Sequence, residues 1–186
     1  MNTLKTIQVL AKIGRIISKI IFILCIVGFC CCAIGIITLA AGTGSIVIGG
    51  VTIHSIIENE AGLSLGAMYA AMAVGIVLCA AEAVLCKFAE IYFKNELKDG
   101  TPFTLRGAKE LLMLGILTVA ISLGAVIICS IGLGIARHFV DDIEKISLSG
   151  FGSVGLGISM IILSLFCRHG AEISEENSEL KAGKEQ

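Results

Sequence analysis

The residues that could do chemistry in this chain are three histidines, eight cysteines and a few carboxylates, and their spacing matches no catalytic or metal-binding pattern. His54 and His138 each have carboxylates nearby, and histidine with carboxylate is a common donor set for zinc or manganese. A metal site would need the two histidines to converge, whereas a solvated acidic rim explains the same residues more simply. We therefore expect no metal, no cofactor and no catalytic residue. The carboxylates concerned are Glu58, Glu60, Asp141, Asp142 and Glu144.

The cysteines all fall inside or at the ends of apolar stretches, so we interpret them as small hydrophobic residues. Cys30, Cys31 and Cys32 are consecutive, and on a helix three consecutive side chains point in three directions. Small residues let membrane helices approach closely, which favours packing over redox chemistry or a disulfide framework. The other cysteines are Cys25, Cys79, Cys86, Cys129 and Cys167.

A glycine-rich run, Gly150 to Gly155, formally matches the dinucleotide fingerprint Gly-x-Gly-x-x-Gly. That fingerprint works only between a buried strand and a helix, whereas here an acidic segment precedes an apolar one. We instead predict small-residue surfaces for helix packing, within the bundle or between copies. These surfaces comprise Gly152, Gly155 and Ser159 on the fourth span and Gly75, Cys79 and Ala83 on the second.

The elements that carry these residues are membrane helices. The chain is 56% hydrophobic and 16% charged, and residues 20–57, 61–81, 111–136 and 146–167 contain no charge. About 20 apolar residues cross a bilayer as a helix. We predict an all-α integral membrane protein, a four-transmembrane-helix bundle with spans at about 18–41, 64–88, 108–136 and 148–167. Residues 1–170 form one membrane domain, and 171–186 form a polar tail that is disordered or a short helix.

The distribution of positive charge predicts the orientation. If the N-terminus is inside, twelve of the fourteen basic residues lie on the inner side, and only Arg137 and Lys145 lie outside. Inner loops of membrane proteins are enriched in Lys and Arg. We expect both termini to be cytoplasmic in a bacterial cytoplasmic membrane. The net charge of −1 argues against direct nucleic-acid binding. The inner basic residues are Lys5, Lys12, Arg15, Lys19, Lys87, Lys94, Lys98, Arg106, Lys109, Arg168, Lys181 and Lys184.

The first twenty residues place polar side chains three and four positions apart, with apolar residues between them. This pattern fits a basic amphipathic helix on an anionic lipid surface, or a positive flank that only orients the protein. We favour the flank. The polar residues are Lys5, Gln8, Lys12, Arg15 and Lys19.

Two connections have recognisable turn signals. In the outer segment, Gly49-Gly50 separates two β-branched runs between Ser45 and His54, which predicts a small extracytoplasmic hairpin or a re-entrant loop. In the inner segment, Asp99-Gly100 ends a helix and Thr104 caps the next, which predicts a cytoplasmic helical hairpin between helices 2 and 3.

The candidate functional residues lie in and before this inner hairpin. Glu82 follows 21 uncharged residues, and an ionisable group at membrane depth is a functional candidate, although it could simply lie at the headgroup level. Phe103, at the bend, either packs on the bundle or offers a docking point. The partner-binding candidates are Phe88, Tyr92, Pro102, Phe103 and Arg106.

The segment Lys87 to Thr104 resembles a family of small, uncharacterised bacterial four-span membrane proteins, a domain of unknown function. The family pattern is an extended second helix followed by Gly-x-Pro-Phe-Ser/Thr, matched here by Gly100, Pro102, Phe103 and Thr104. The resemblance implies an integral membrane protein without an established activity, often encoded beside a small helix-turn-helix regulator. Such a regulator is the partner that the resemblance suggests.

Two functions follow as hypotheses. The first is a non-enzymatic regulatory or sensing protein in the lipid bilayer, acting through a cytoplasmic protein partner. The second is a small transporter or export and immunity component for an ion or an amphipathic peptide, using Glu82 and a path formed in a homo-oligomer. We do not expect an enzyme, because the inner side has His169 alone and the outer set of His54, His138 and Asp141 has no recognisable catalytic spacing.

Overall fold

The computed structural model describes residues 2–41, 45–48, 51–54, 64–100, 104–139 and 151–182. Four of its elements are helices long and apolar enough to cross a membrane. The predicted all-α, four-helix membrane fold is therefore confirmed, and the chain is a multi-pass membrane protein. The elements are α1 (Asn2–Ala41), β1 (Ser45–Ile48), β2 (Val51–His54), α2 (Leu65–Asp99), α3 (Leu105–Ala136) and α4 (Phe151–Ala182).

The helices extend well beyond the predicted spans. At 1.5 Å per residue, α1 is about 60 Å long, roughly twice the hydrocarbon thickness. The last part of α4 carries the acidic segment that begins at Glu172, so the described part of the polar tail is helical and continuous with the span.

The two predicted turn signals at the end of α2 and the start of α3 are confirmed. Gly100 has a φ of +75°, and its N–H donates to the carbonyl of Glu96 at 3.0 Å, which is the αL form of a helix C-cap. The hydroxyl of Thr104 accepts a hydrogen bond from the N–H of Gly107 at 2.9 Å, so Thr104 is the N-cap of α3. Pro102 and Phe103 lie outside the described residues.

The segment between α1 and α2 contains an antiparallel strand pair. Ser45 lies opposite His54, and Ile48 lies opposite Val51. This pairing agrees with the hairpin alternative for the segment.

The chain divides into two compact units, and each is described by itself. Residues of α1, α2 and α3 occur in both units, whereas α4 belongs to the first alone. The first unit comprises Met1–Phe22, Val84–Leu123 and Gly150–Gln186, and the second comprises Ile23–Ala83 and Gly124–Ser149.

In the second unit, cysteines and glycines pack against each other where α1 meets α2. A Cβ atom built on Gly75 would lie only 2.8 Å from Sγ of Cys32, and one on Gly28 would lie 3.1 Å from Sγ of Cys79. Each sulfur thus occupies space left by a missing side chain on the other helix. Ala83 is also buried. The predicted packing role of Gly75, Cys79 and Ala83 is confirmed.

In the first unit, α3 and α4 cross at a pair of glycines. A Cβ atom on Gly115 would lie 2.9 Å from the carbonyl oxygen of Gly157, and one on Gly157 would lie 3.0 Å from that of Gly115. Gly155 has open space around it, and Ser159 is exposed. For Gly155 and Ser159, the alternative of packing within the bundle is therefore wrong, because Gly157 is on the opposite side of α4 from that surface. The alternative of packing between copies stays a prediction.

Candidate functional site

The helices of the first unit continue past their uncharged stretches and form what we call the charged platform. It comprises residues 5–19 of α1, 87–99 of α2 with Gly100, Thr104 and 105–110 of α3, and 168–182 of α4. At 1.5 Å per residue, the α1 and α2 parts are each about 20 Å long. This length exceeds what is needed to connect two membrane spans.

A buried apolar cluster supports the platform from inside. Tyr92 of α2 packs with Leu111 and Leu114 of α3 and with Cys167 of α4, and Phe93 contributes an edge-to-face contact at 5.3 Å between ring centroids. Tyr92 is only 9% exposed. Its side chain is therefore part of the core of the platform and does not form its surface.

A polar network joins the two arms of the helical hairpin. The side-chain amide of Asn95 donates to both carboxylate oxygens of Glu110, at 3.1 and 3.0 Å. Nε of Arg106 donates to the same carboxylate at 3.0 Å. Asn95 and Glu110 lie on different helices, so this contact fixes α2 against α3 next to the bend. Charged hydrogen bonds of this kind are about twice as strong as neutral ones.

The start of α1 packs along α2. The amide of Gln8 donates to the carbonyl of Gly100 at 3.3 Å. A Cβ atom on Gly14 would lie 2.7 Å from the ring of Phe93, and Ala11, one turn before Gly14, is buried. Residues 8–14 are thus part of a helix bundle, and they do not form a separate helix lying flat on a lipid surface.

An ion pair on α2 lies beside α1 near the end of the uncharged stretches. Nζ of Lys87 lies 2.9 Å from the carboxylate of Glu90 and 5.5 Å from the centre of the Phe22 ring. The hydrogen bond from Lys87, together with the charges of Lys19 and Arg15, lowers the pKa of Glu90 below its ordinary value of 4.5. Glu90 therefore neutralises part of the positive charge of α1.

A second carboxylate behaves in the opposite way. Burial raises the pKa of Glu96 above 4.5, although the hydroxyl of Tyr92 donates a hydrogen bond that partly offsets this effect. Burial, followed by the charge of Glu96, raises the pKa of the Tyr92 phenol in turn. The platform thus contains one carboxyl group, Glu90, whose surroundings favour the charged form and another, Glu96, whose surroundings disfavour it.

The surface of the platform presents apolar side chains beside charged ones. Phe88 is 39% exposed and Ile91 is 45% exposed on α2. On α3, Leu105 is exposed next to Arg106, whose side chain is 67% exposed even though it bonds to Glu110. Aromatic residues and arginine are among the residue types enriched at protein interfaces.

Glu82 lies on the exposed side of α2 in the second unit, near the end of the uncharged stretch. A separate apolar cavity of about 240 Å³ lies between α2 and α3 in the same unit. Its lining contains no charged residue, and Glu82 is not part of it. The cavity is lined by Ala70, Ala73, Val74, Val77, Ile128, Cys129, Gly132, Leu133 and Ala136.

The predicted site residues are thus distributed over several environments. Phe88 and Arg106 are on the platform surface, and Tyr92 is in its core. Phe103 and Pro102 lie outside the described residues. Sequence reasoning missed Asn95, whose bond to Glu110 joins two helices, because contacts between helices leave no local spacing signal.

Among the described residues, no three histidine, cysteine or acidic side chains are grouped closely enough to hold a metal ion. The carboxylates named beside His54 and His138 lie outside the described residues. Comparisons with protein-family profiles, curated proteins and solved structures give no match to this chain.

Proposed function

We propose that this chain is a non-enzymatic regulatory membrane protein that binds a cytoplasmic protein partner through the charged platform. The observation that carries the proposal is the platform itself, in which the Tyr92 cluster and the Asn95–Glu110 contact join α2, α3 and α4, and Gln8 and Gly14 attach α1 to α2. A connector between two spans needs only a few residues. A larger, internally bonded structure is the expected form of a docking site.

The distribution of charge supports a cytoplasmic position for the platform. Twelve of the fourteen basic residues lie on the same side of the spans as the platform. Inner segments of membrane proteins are usually enriched in Lys and Arg. The resemblance to a bacterial four-span family adds a partner class, a small helix-turn-helix regulator. The protein would hold this regulator at the membrane and release it in response to a signal.

Site-specific photo-crosslinking in living cells tests this proposal. A photoreactive phenylalanine analogue is introduced at Phe88 in one version and at Phe139 in another. Phe139 is the matched control, because it is even more exposed, at 82%, but follows the other end of the third span. We expect an adduct with a cytoplasmic protein from Phe88 and none from Phe139, identified by mass spectrometry.

A substitution at Phe103 then tests whether the hairpin takes part in forming this adduct. Phe103→Ala should reduce the Phe88 adduct at least tenfold without reducing the amount of protein in the membrane. An undiminished adduct would show that Phe103 does not take part in docking. Identical adducts from Phe88 and Phe139, or none from Phe88, would overturn the docking function.

The transport alternative has one specific test. Glu82→Gln, in protein that reaches the membrane at wild-type levels, should abolish an ion or peptide resistance phenotype if Glu82 lies on a transport path. We favour docking, because Glu82 is exposed at the side of the helix and the cavity of the second unit is lined by apolar residues alone.

A further inference from the structure

The first part of α1 has a second apolar face that no described residue covers. Its inner face contacts α2 through Gln8 and Gly14, with Ala11 and Ser18 buried. The opposite face carries Leu10, Ile13, Ile17 and Ile20, which we call the α1 seam. These four side chains and the neighbouring Val9 and Ile16 are between 49% and 64% exposed.

The spacing of the seam is that of a coiled coil. Its residues are separated by three, four and three positions, which is the a and d pattern of a heptad repeat. Leu10 and Ile17 occupy a, and Ile13 and Ile20 occupy d. The hydrophobic period of 3.5 residues keeps such a stripe facing one neighbouring helix.

The charge pattern places the first half of the seam outside the hydrocarbon core. The uncharged stretch begins at Ile20, so Ile13 lies about 10 Å and Leu10 about 15 Å further along the helix. The headgroup layer adds only about 5 to 8 Å on each side of the hydrocarbon core. Because α1 is unbroken and contacts α2 at Gln8 and Gly14, this segment runs beside the charged part of α2.

We infer that the α1 seam packs against the same seam of other copies of this chain in a parallel helix bundle. Two copies in one bilayer have the same orientation, so a symmetry axis along the membrane normal places their α1 helices parallel and at the same height. Position a then meets a, and d meets d, without any shift along the helix. A soluble partner has no such constraint on its height or direction.

The placement of charge supports self-pairing. Like charges oppose pairing in a parallel coiled coil when they occupy the e and g positions beside the seam. Here Lys5, Lys12 and Lys19 all occupy c, and Arg15 occupies f. The e and g positions near the seam are Gly14, Ile21, Val9 and Ile16. The basic residues therefore stay away from one another in the paired state.

The residue types also predict the number of copies. Isoleucine at d, with leucine or isoleucine at a, favours three or four strands over two in parallel coiled coils. Apolar residues at g widen the apolar surface of the helix, which also favours three or four strands. We expect the assembly to contain three or four copies.

Photo-crosslinking at seam and non-seam positions of α1 tests this inference in cells that express the full chain. The photoreactive residue is placed at Leu10 and Ile17 in the seam, and at Lys12 and Lys19 as controls on the same helix. We expect bands at multiples of the 19.4 kDa chain mass from the seam positions, at least tenfold stronger than from the controls. Equal yields at the four positions, or seam adducts only with lipid or with another protein, would overturn the inference.

A charge variant provides the second measurement. Ile13→Glu with Ile17→Glu should reduce the mass of the detergent-solubilised protein, measured by light scattering, to that of one chain. Ile91→Glu is the matched control, because Ile91 is equally exposed on α2 but lies off the seam. An unchanged mass in the seam variant, with wild-type thermal stability, would show that copies associate elsewhere or not at all.

Discussion

A methyl group at Gly157 would collide with α3. Built on this residue, a Cβ atom lies 2.6 Å from Cγ2 of Val119, 3.0 Å from the carbonyl oxygen of Gly115 and 3.1 Å from the backbone nitrogen of Val119. The Val119 side chain can rotate, but the two backbone atoms cannot move without the helix. Gly157→Ala therefore forces α3 and α4 apart by a few tenths of an ångström.

The expected cost follows from two opposing effects. Overpacking of this kind costs about 1 to 3 kcal/mol. Alanine also favours a helix over glycine by up to about 1 kcal/mol, which offsets part of that cost. With the full helix gain, the expected net cost of Gly157→Ala is about 0 to 2 kcal/mol, so this variant should be about 1 to 3 kcal/mol less stable than alanine at an open position of the same helix. For a chain of this size, each 1 kcal/mol lowers the melting temperature by about 2 to 4 °C.

Two matched glycine variants separate these effects. Gly155→Ala, on the same helix, meets nothing within 4 Å and should leave stability unchanged or increase it. Gly115→Ala meets the backbone oxygen of Gly157 at 2.9 Å and should be as destabilising as Gly157→Ala. The double variant should cost less than the sum, because the first methyl group already separates the helices.

The assay is thermal unfolding of the detergent-solubilised protein, followed by circular dichroism at 222 nm. A melting temperature of Gly157→Ala equal to that of Gly155→Ala would refute the close crossing of α3 and α4. Additive costs in the double variant would show that the two glycines do not face each other.

The other predictions concern the charged platform and are measured as melting temperatures. Because burial raises the folded-state pKa of Glu96, ionisation of this residue destabilises the fold as pH rises above 4.5. Glu96→Gln should therefore be more stable than wild type at pH 7, and its stability should equal that of wild type below pH 4.5. Glu90→Gln should show the reverse, with a loss at pH 7 that disappears as pH falls below 4.5, because the folded-state pKa of Glu90 is lowered. The same sign for both variants would contradict the assignment. Gly100→Ala should cost about 1 kcal/mol, because alanine is strained at a φ of +75°, and no loss would mean that the cap is not formed.

The opposite behaviour of Glu90 and Glu96 shows where local sequence loses its predictive value. The residues are six positions apart on one helix, and both have apolar and basic neighbours in sequence. Glu90 lies next to Lys87 and near the basic residues of α1, whereas Glu96 is turned toward Tyr92 and the buried cluster. Helix periodicity predicts that Glu90 and Glu96 lie on different faces of α2. Only the packing of the helices shows which residues each face contacts.

The glycines of α4 also show that tertiary packing cannot be inferred from local sequence alone. Gly152, Gly155 and Ser159 look like a helix-packing surface by their spacing, yet Gly157 is the residue that contacts α3. Spacing shows which small residues share a face, but it does not show which face turns inward when the helix is apolar all round. A soluble helix would reveal its inner face by polarity, and a membrane helix does not.

By itself, the sequence determined the number of helices, the end of α2 and the start of α3, because these depend on apolar length and on local backbone chemistry at Gly100 and Thr104. It offered the strand pair only as one of two alternatives for the outer segment. The tertiary structure alone decided that α1 continues along α2, that Asn95 holds Glu110 and that Tyr92 is buried. The physical reason is that hydropathy and capping act within a few residues of chain. Contacts between helices depend on their rotation and relative height, which residues distant in sequence fix together.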